Sequence, residues 1–420
     1  MKPRIGIILF SAIFLTQPDL HASAAEVDLE AAYRSAIQKN ETAALRVEDV
    51  VQAEEQLSQA KGSLLPTISA VGTHQVQETP SSGAAASSPS EQQTAKITAT
   101  QPLFKGLREY AGLRLTKRSY EASRETLLAA KNQLYADVAD SYYTVLFLEQ
   151  EVKNLTGQQD LLTKRLKEIQ GRIKIGRSRQ SEGYSLDTTL KTTEAQLLER
   201  SAQLRSARQA FSFVTGLPPS SALSDQSGPD VKFSGDLNIA EFLKNRPDLR
   251  AARAQVEAAR ESVTIAKGGH LPSLDLNGNY YLKRPGLLQD VHWDVQLVLT
   301  IPLFSGGVTQ SLVREASSKL LQAEITETRL KRDAERQIRT LADEAFAYLQ
   351  QVDVLKKGTA SAEKDYQEQL REYRLGLVNN LQVLQTLMNF KASQLALEKA
   401  RYNARVLWAR FRAATGGITQ

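Results

Sequence analysis

The stretches QPLFKGL (101–107) and IPLFSGG (301–307) write nearly the same phrase twice, with Pro102-Leu103-Phe104 returning as Pro302-Leu303-Phe304. A lone Pro-Leu-Phe carries no information; a pair matters only if its surroundings repeat as well. They do. KNETAALRVEDVVQAEEQLSQAKGSLLPTIS (39–69) is answered by KNRPDLRAARAQVEAARESVTIAKGGHLPSLD (244–275), with Ala-Lys-Gly and Leu-Pro in the same order. After each Pro-Leu-Phe come two long polar–apolar stretches, a glycine between them (Gly176, Gly376), and a closing aromatic with Thr-Gly. The closing sets are Phe211, Thr215, Gly216 and Phe411, Thr415, Gly416. The chain is therefore an internal duplication. It divides into a first strand–helix repeat over 25–216, a Pro/Ser/Gly/Asp-rich linker over 217–236 and a second repeat over 237–420.

Residues 1–24 read as a cleaved export signal. Lys2 and Arg4 precede an apolar core from Ile5 to Leu15, and Ala22-Ser23-Ala24 supplies a small-x-small cleavage site. That core is shorter than the roughly 20 residues a spanning helix needs. The chain has no cysteine, which removes disulfides, thiol nucleophiles, Cys-ligated metals and a lipidated N-terminal Cys. A net charge of +6 over 420 residues, with the signs interspersed, gives no reason to expect nucleic acid as a partner.

Each half has one grammar. A first helix is expected over about 28–62 and its counterpart over 240–268, both closing at a glycine (Gly62, Gly268) with Pro66 and Pro272 at strand entry. Two strands follow. In LPSLDLNGNYYL, Leu274, Leu276, Gly278, Tyr280 and Leu282 share one face, opposite Ser273, Asp275, Asn277, Asn279 and Tyr281. In WDVQLVLTI, Trp293, Val295, Leu297 and Leu299 alternate with Asp294, Gln296, Val298 and Thr300. A period of two over nine or ten residues, with aromatics near the ends, suits an outer-membrane strand: apolar toward lipid, polar toward a lumen. The alternation alone equally fits a hairpin on a soluble sheet. The strands of the first half, near 66–78 and 95–103, alternate more weakly, and 79–93 reads as a low-complexity loop.

From Glu109 to about Arg172, and again from Gln310 to Arg374, no proline interrupts a helical pattern. Some 65 residues at 1.5 Å each make a rod of roughly 100 Å, far beyond an ordinary globular helix. Shorter returning helices are expected over 184–215 and 381–415. Pro102 and Phe104, like Pro302 and Phe304, then mark the junction from strand to long helix, where a residue without a ladder donor fits. Four strands cannot close a membrane sheet, and known barrels start at about eight. Two or more chains must share one barrel, eight strands from two or twelve from three, with the helices extending it as a tube.

With the duplication, NRPDLRAARAQVEAAR followed by LPSL, both Pro-Leu-Phe junctions and YRLGLVNNLQVLQTLMNFKASQLALEKARYNA in view, the chain resembles the TolC-like outer-membrane efflux proteins over essentially its whole mature length. The resemblance implies a mainly α fold with a transmembrane β part, a long-helix α-barrel continuous with an oligomeric β-barrel: four strands per chain, twelve in a homotrimer. It implies a passive exit duct in the outer membrane, in contact with lipid and extending into the periplasm of a Gram-negative cell. The duct would serve a tripartite efflux pump or a type I secretion system, with a periplasmic adaptor and an inner-membrane transporter as partners and no cofactor. By the same resemblance the adaptor docks at the helix turns, here Gly176, Arg177, Ser178 and Gly376, Leu377, Val378. The glycines also suit a tight helix end on their own account. A constriction near these turns carries carboxylates in relatives. The matching positions here hold Gln382 and Gln385, with Tyr373 matching a tyrosine of that network and Glu182 standing at the equivalent place in the first repeat.

Catalysis has no support in the pattern. His74, His270 and His292 have no metal-ligand spacing, and no phosphate loop, nucleophile elbow or zinc-protease motif occurs. The competing reading is a soluble periplasmic coiled-coil scaffold or pump adaptor, which would share the long helices but not a repeated pair of membrane-grade strands.

Overall fold

The computed structural model describes residues 26–78, 90–224 and 238–418. The expected signal, most of the 79–93 loop and most of the linker lie outside the described residues. The first repeat contains α1 (Leu29–Lys39), α2 (Glu41–Gly62), β1 (Thr67–Val76), β2 (Glu91–Lys105), α3 (Arg108–Lys174) and α4 (Gln180–Thr215). The second contains α5 (Ile239–Asn245), α6 (Pro247–Lys267), β3 (Ser273–Lys283), β4 (Trp293–Thr300), α7 (Val308–Arg374) and α8 (Asn380–Ala414). The long helices α3 and α7 each have 67 residues.

The single first helix expected in each half is in fact two. Asn40 leaves the helical region (φ −76°, ψ 122°), and its side-chain oxygen accepts from the amides of Thr42 and Ala43 at 3.0 and 3.2 Å. One residue thus ends α1 and caps α2. At the matching break Arg246 is extended (φ −71°, ψ 120°) because the ring of Pro247 disfavours a helical predecessor.

These breaks receive the ends of the returning helices. The last carbonyls of α4 have no partner within the helix. Asn40 Nδ2 donates to Val214 O at 3.2 Å, Ser35 Oγ to Thr215 O at 2.9 Å and Lys39 Nζ to Gly216 O at 3.2 Å. In the second repeat the Gly416 and Gly417 amides donate to Ala413 O and Arg412 O at 3.3 and 3.1 Å, and Arg246 reaches the next carbonyl. It donates to Ala414 O at 3.1 Å and Gln337 Oε1 at 3.0 Å while gripping Asp248 at 2.7 Å. The repeated Phe…Thr-Gly is the sequence of this seam. Phe211 and Phe411 are buried, and Thr215 and Thr415 return their hydroxyls to the Phe carbonyls at 2.7 and 2.9 Å. Gly416 adopts φ 77°, and a Cβ there would lie 2.7 Å from Asn245 O.

The helix α3 packs along α2, α4, α6 and α8, and α7 along α6 and α8. Tyr33, Tyr135, Tyr142 and Phe211 fill the core beside the first seam; Leu249, Ile338 and Phe411 fill the second. The Tyr142 hydroxyl lies 3.1 Å from Val27 O and 2.5 Å from Ser224 O, beside a short parallel bridge of Val27 with Leu223. The start of the described chain is thereby held against the α4 exit.

The four strands form one antiparallel sheet in the order β1-β2-β3-β4. The two Pro-Leu-Phe segments differ, against the expectation of matching junctions. β4 ends at Thr300, before Pro302, whereas β2 runs through Pro102 to Lys105. As a central strand β2 has β3 to pair with, and a register shift between Pro102 and Phe104 absorbs the missing donor. Both junctions then turn through left-handed residues, Gly106-Leu107 and Gly306-Gly307, into the long helix.

Substituting the glycines tests the seam. Gly376→Ala, in open space at φ 78°, is expected to cost about 1 kcal/mol, the price of left-handed backbone alone. Gly416→Ala adds a backbone clash at the second seam and should lower the thermal unfolding midpoint of the detergent-solubilised protein clearly further.

Candidate functional site

The strand register turns the alternation of single strands into two faces of a sheet. Leu274 faces Leu299, Leu276 faces Leu297 and Tyr280 faces Trp293. Tyr280 also faces Ile97, which faces Ala70, so the apolar side continues across β2 and β1. It is uncovered in the single chain: Trp293 is 67% and Leu297 63% exposed. Val295 and Leu299 on β4 are exposed as well, whereas Leu274 and Leu276 on the inner strand β3 are half-buried. Beyond the strand end Phe304 is 90% exposed, while Phe104, inside β2, is half-buried.

The opposite face is a polar network. Asn279 accepts from Thr98 Oγ1 at 2.9 Å and Lys96 Nζ at 3.2 Å, and donates to Asp294 Oδ1 at 2.8 Å. Arg284 lies 3.7 Å from Asp294 and stacks over the Tyr281 ring at 4.1 Å. Apolar outside and hydrogen-bonded polar inside is the division a wall between lipid and water requires.

At the far end of the rods the two turns have the same backbone. Gly176 (φ 71°) donates to Ile173 O at 3.0 Å and Arg177 to Arg172 O at 2.8 Å; Gly376 (φ 78°) donates to Tyr373 O at 3.1 Å and Leu377 to Glu372 O at 3.0 Å. Both are Schellman closures, which explains each glycine locally. Of the other turn residues expected to dock a partner, Arg177 and Leu377 are exposed and Ser178 and Val378 half-buried.

The residues expected at a constriction separate into two groups. Glu182 and Gln382 both sit in the first turn of a returning helix. Gln382 closes a capping box: its side-chain Oε1 accepts from Asn379 N and its backbone N–H donates to Asn379 Oδ1, both at 3.0 Å. Glu182 accepts from Ser178 Oγ at 2.6 Å. Gln385 is exposed about one turn further on. Tyr373 is buried elsewhere, between the two hairpins. The guanidinium of Arg165 lies 4.4 Å and that of Arg172 5.0 Å from its ring centre. Arg165 Nε also donates to the buried Asn380 Oδ1 at 3.0 Å, and Leu162, Ile169, Val383 and Leu387 pack around the same point. Arg165 and Asn380 were not among the expected residues. Their only sequence signal is a polar side chain on an otherwise apolar helix face, and the contacts join positions 215 residues apart.

A four-stranded wall carried on 67-residue helices with closed turns defines a subunit of an outer-membrane channel. The chain belongs to the family described as outer membrane efflux protein, matched once in each repeat, over residues 32–217 and 238–417. Its members are outer-membrane channels that extend into the periplasm, and this chain is located with them. Among relatives, the outer membrane efflux protein BepC of Brucella suis is 24% identical over 78% of this chain and 72% of its own. TolC of Escherichia coli K12 is 22% identical over 78% and 70%. Among solved structures, VceC of Vibrio cholerae superposes with a TM-score of 0.81 at 18% identity, over 92% of this chain and 96% of that one. The open-state MtrE channel of Neisseria gonorrhoeae gives 0.77 at 18%, over 92% and 88%. At such identities the structures establish the shared fold.

The inter-hairpin contact is made by the Tyr373 ring rather than by its hydroxyl. Tyr373→Phe should therefore leave the melting temperature nearly unchanged. Tyr373→Ala removes a buried ring and two cation–π contacts and should cost about 3 kcal/mol, read from the same thermal melt.

Proposed function

We propose that three copies of the chain close into a twelve-stranded barrel and a helical tunnel, forming the exit duct of a tripartite efflux pump or a type I secretion system. The duct conducts passively and performs no catalysis. An inner-membrane transporter supplies the energy, and a periplasmic adaptor meets the turns at Gly176–Ser178 and Gly376–Val378. The observation that carries the reading is the open sheet: among the described residues β1 and β4 are unpaired edges beside an uncovered apolar face. Neither edge is tolerable in lipid unless another copy closes it.

The duplication supports closure residue by residue. Within one chain the first repeat meets the second along β2–β3 and α3–α6. In a closed ring the second repeat meets the first repeat of the neighbouring copy in the same way, along β4–β1 and α7–α2. Gly106 and Gly268 approach so closely that a Cβ on either would lie 2.4 Å from the other's carbonyl oxygen, while their counterparts Gly306 and Gly62 face open space. Arg114 grips Glu261 through two bonds of 2.8 Å; the counterparts Arg314 and Glu55 are both exposed. The pair Ala99–Gly278 translates into Leu299 opposite Gly72 of the neighbouring copy.

Because the native chain has no cysteine, Leu299→Cys combined with Gly72→Cys should form a covalent ladder up to trimer on oxidation, and neither single variant should. The purified protein should run as a trimer and give discrete conductance steps in a planar bilayer. A monomer that neither cross-links nor inserts would return the chain to the soluble-scaffold reading.

The glutamines near the tips give a separate test of the constriction. A ring of Gln382 and Gln385 can hydrogen-bond but does not titrate. Gln382→Asp with Gln385→Asp should increase cation preference and introduce pH sensitivity in bilayer recordings. No change in either would place the narrowest ring elsewhere.

A further inference from the structure

The two turns at the periplasmic end offer one backbone with two chemistries. The first reads Lys174-Ile-Gly-Arg-Ser-Arg-Gln-Ser-Glu182, the second Arg374-Leu-Gly-Leu-Val-Asn-Asn-Leu-Gln382. Both use the same Schellman closure on the same left-handed glycine. At matched positions Arg177 stands against Leu377, Arg179 against Asn379 and Ser181 against Leu381. Lys174, Arg177 and Arg179 are all exposed, and none of them makes an ion pair among the described residues. In the second turn Leu377 is 72% and Leu381 58% exposed.

The fold does not ask for the two arginines. Lys174 and Arg374 sit at helix C-termini, where a cation is favourable. Arg177 and Arg179 instead stand at the entry to α4, the positive end of that helix. Arg179 holds the cap position and makes no side-chain capping bond, whereas Asn379 at the matching position forms a full capping box. The duplicated turn shows what local stability would select, and the first turn departs from it by placing positive charge in solvent. Such departures from local rules are expected at functional surfaces.

We propose that the first turn is a cationic docking surface for a carboxylate-bearing region of a periplasmic partner protein, while the second turn offers that partner an apolar contact. The assignment rests on the docking reading above and divides it into a salt-dependent half and a salt-independent half. Exposed cations attract carboxylates over about 10 Å at 0.1 M salt and lose that reach as salt rises.

The test uses the detergent-purified full chain and two designed helical hairpins that differ only at their connecting turn, one carrying Asp and Glu, the other Ser and Asn. Binding is followed by fluorescence anisotropy at 50 and 300 mM NaCl. The acidic hairpin should bind at least tenfold more tightly at the lower salt, with most of that advantage gone at the higher. Arg177→Ser with Arg179→Asn should erase the advantage, bringing the acidic hairpin's affinity to that of the neutral one at both salt concentrations. Since Arg179→Asn supplies the cap its counterpart already has, the loss would not be one of folding. Leu377→Ser should weaken both hairpins alike. Equal binding of the two hairpins, or indifference to the double substitution, overturns the charge assignment and leaves docking standing. If neither hairpin binds and Leu377→Ser changes nothing, docking at the turns falls, and the charge assignment with it. Capture of phosphatidylglycerol vesicles through Arg177 and Arg179 without either hairpin would make the patch a lipid contact and overturn the protein partner.

Discussion

Hydrocarbon offers no hydrogen-bond partner, so every backbone amide and carbonyl at that depth must be satisfied by protein. This constraint organises the whole molecule. A four-stranded sheet satisfies its inner strands and leaves β1 and β4 each with one open side. The hydrophobic face that makes the sheet a membrane element is the same feature that makes the single chain incomplete. Closure by copies of one chain requires its last strand to fit its first, and a duplicated sequence supplies that fit. The strand pairing already made between the repeats is the pattern for the one the edges lack.

The helical part meets a different problem with the same duplication. A wall of rods roughly 100 Å long cannot be made of uninterrupted helices throughout, because the chain must return from the far end and then climb to the membrane again. The returning helices α4 and α8 therefore stop part-way, at the breaks α1–α2 and α5–α6. At each seam a helix C-terminus, whose last carbonyls have no partner within the helix, meets polar side chains at the break in the opening helix pair of the same repeat. Repeat one uses the side chains of Ser35, Lys39 and Asn40; repeat two uses Arg246 together with the backbone amides of Gly416 and Gly417. Phe211 and Phe411, buried beside these seams, make the polar contacts part of the core rather than a surface decoration.

How much of this is legible in the sequence depends on the range of the interaction involved. The 67-residue helices are readable because nothing in either stretch breaks a helix, and the second hairpin because large apolar residues alternate strictly. The first hairpin reads weakly because Ala70, Ala95 and Ala99 stand where the second has Leu276, Val295 and Leu299, and Gln93 where it has Trp293. The break at Asn40 is hidden because one asparagine serves as both stop and start, with no proline or glycine to announce it. The capping box at Asn379–Gln382 is local and its Asn-x-x-Gln spacing is visible in the chain. Arg165 against Tyr373 and Asn380 is a contact between repeats, and no local pattern specifies it.

The glutamines show how a family pattern and a local one can claim the same residue. By resemblance Gln382 belongs to a constriction; by geometry its amide holds the first turn of α8. The two uses need not conflict for a glutamine, which can accept from Asn379 N through its oxygen while its amide nitrogen stays available. A carboxylate at the same position would favour the helix N-terminus still more through its charge, but that stabilisation would hold the group to the turn whenever it is ionised. Glu182 is in that situation, bonded to Ser178 at 2.6 Å. The charge at the tips of this chain is therefore dominated by arginines standing free in solvent, while the one carboxylate at the matching position is tied to its own helix. A surface built this way presents its positive charge to whatever approaches from the periplasm.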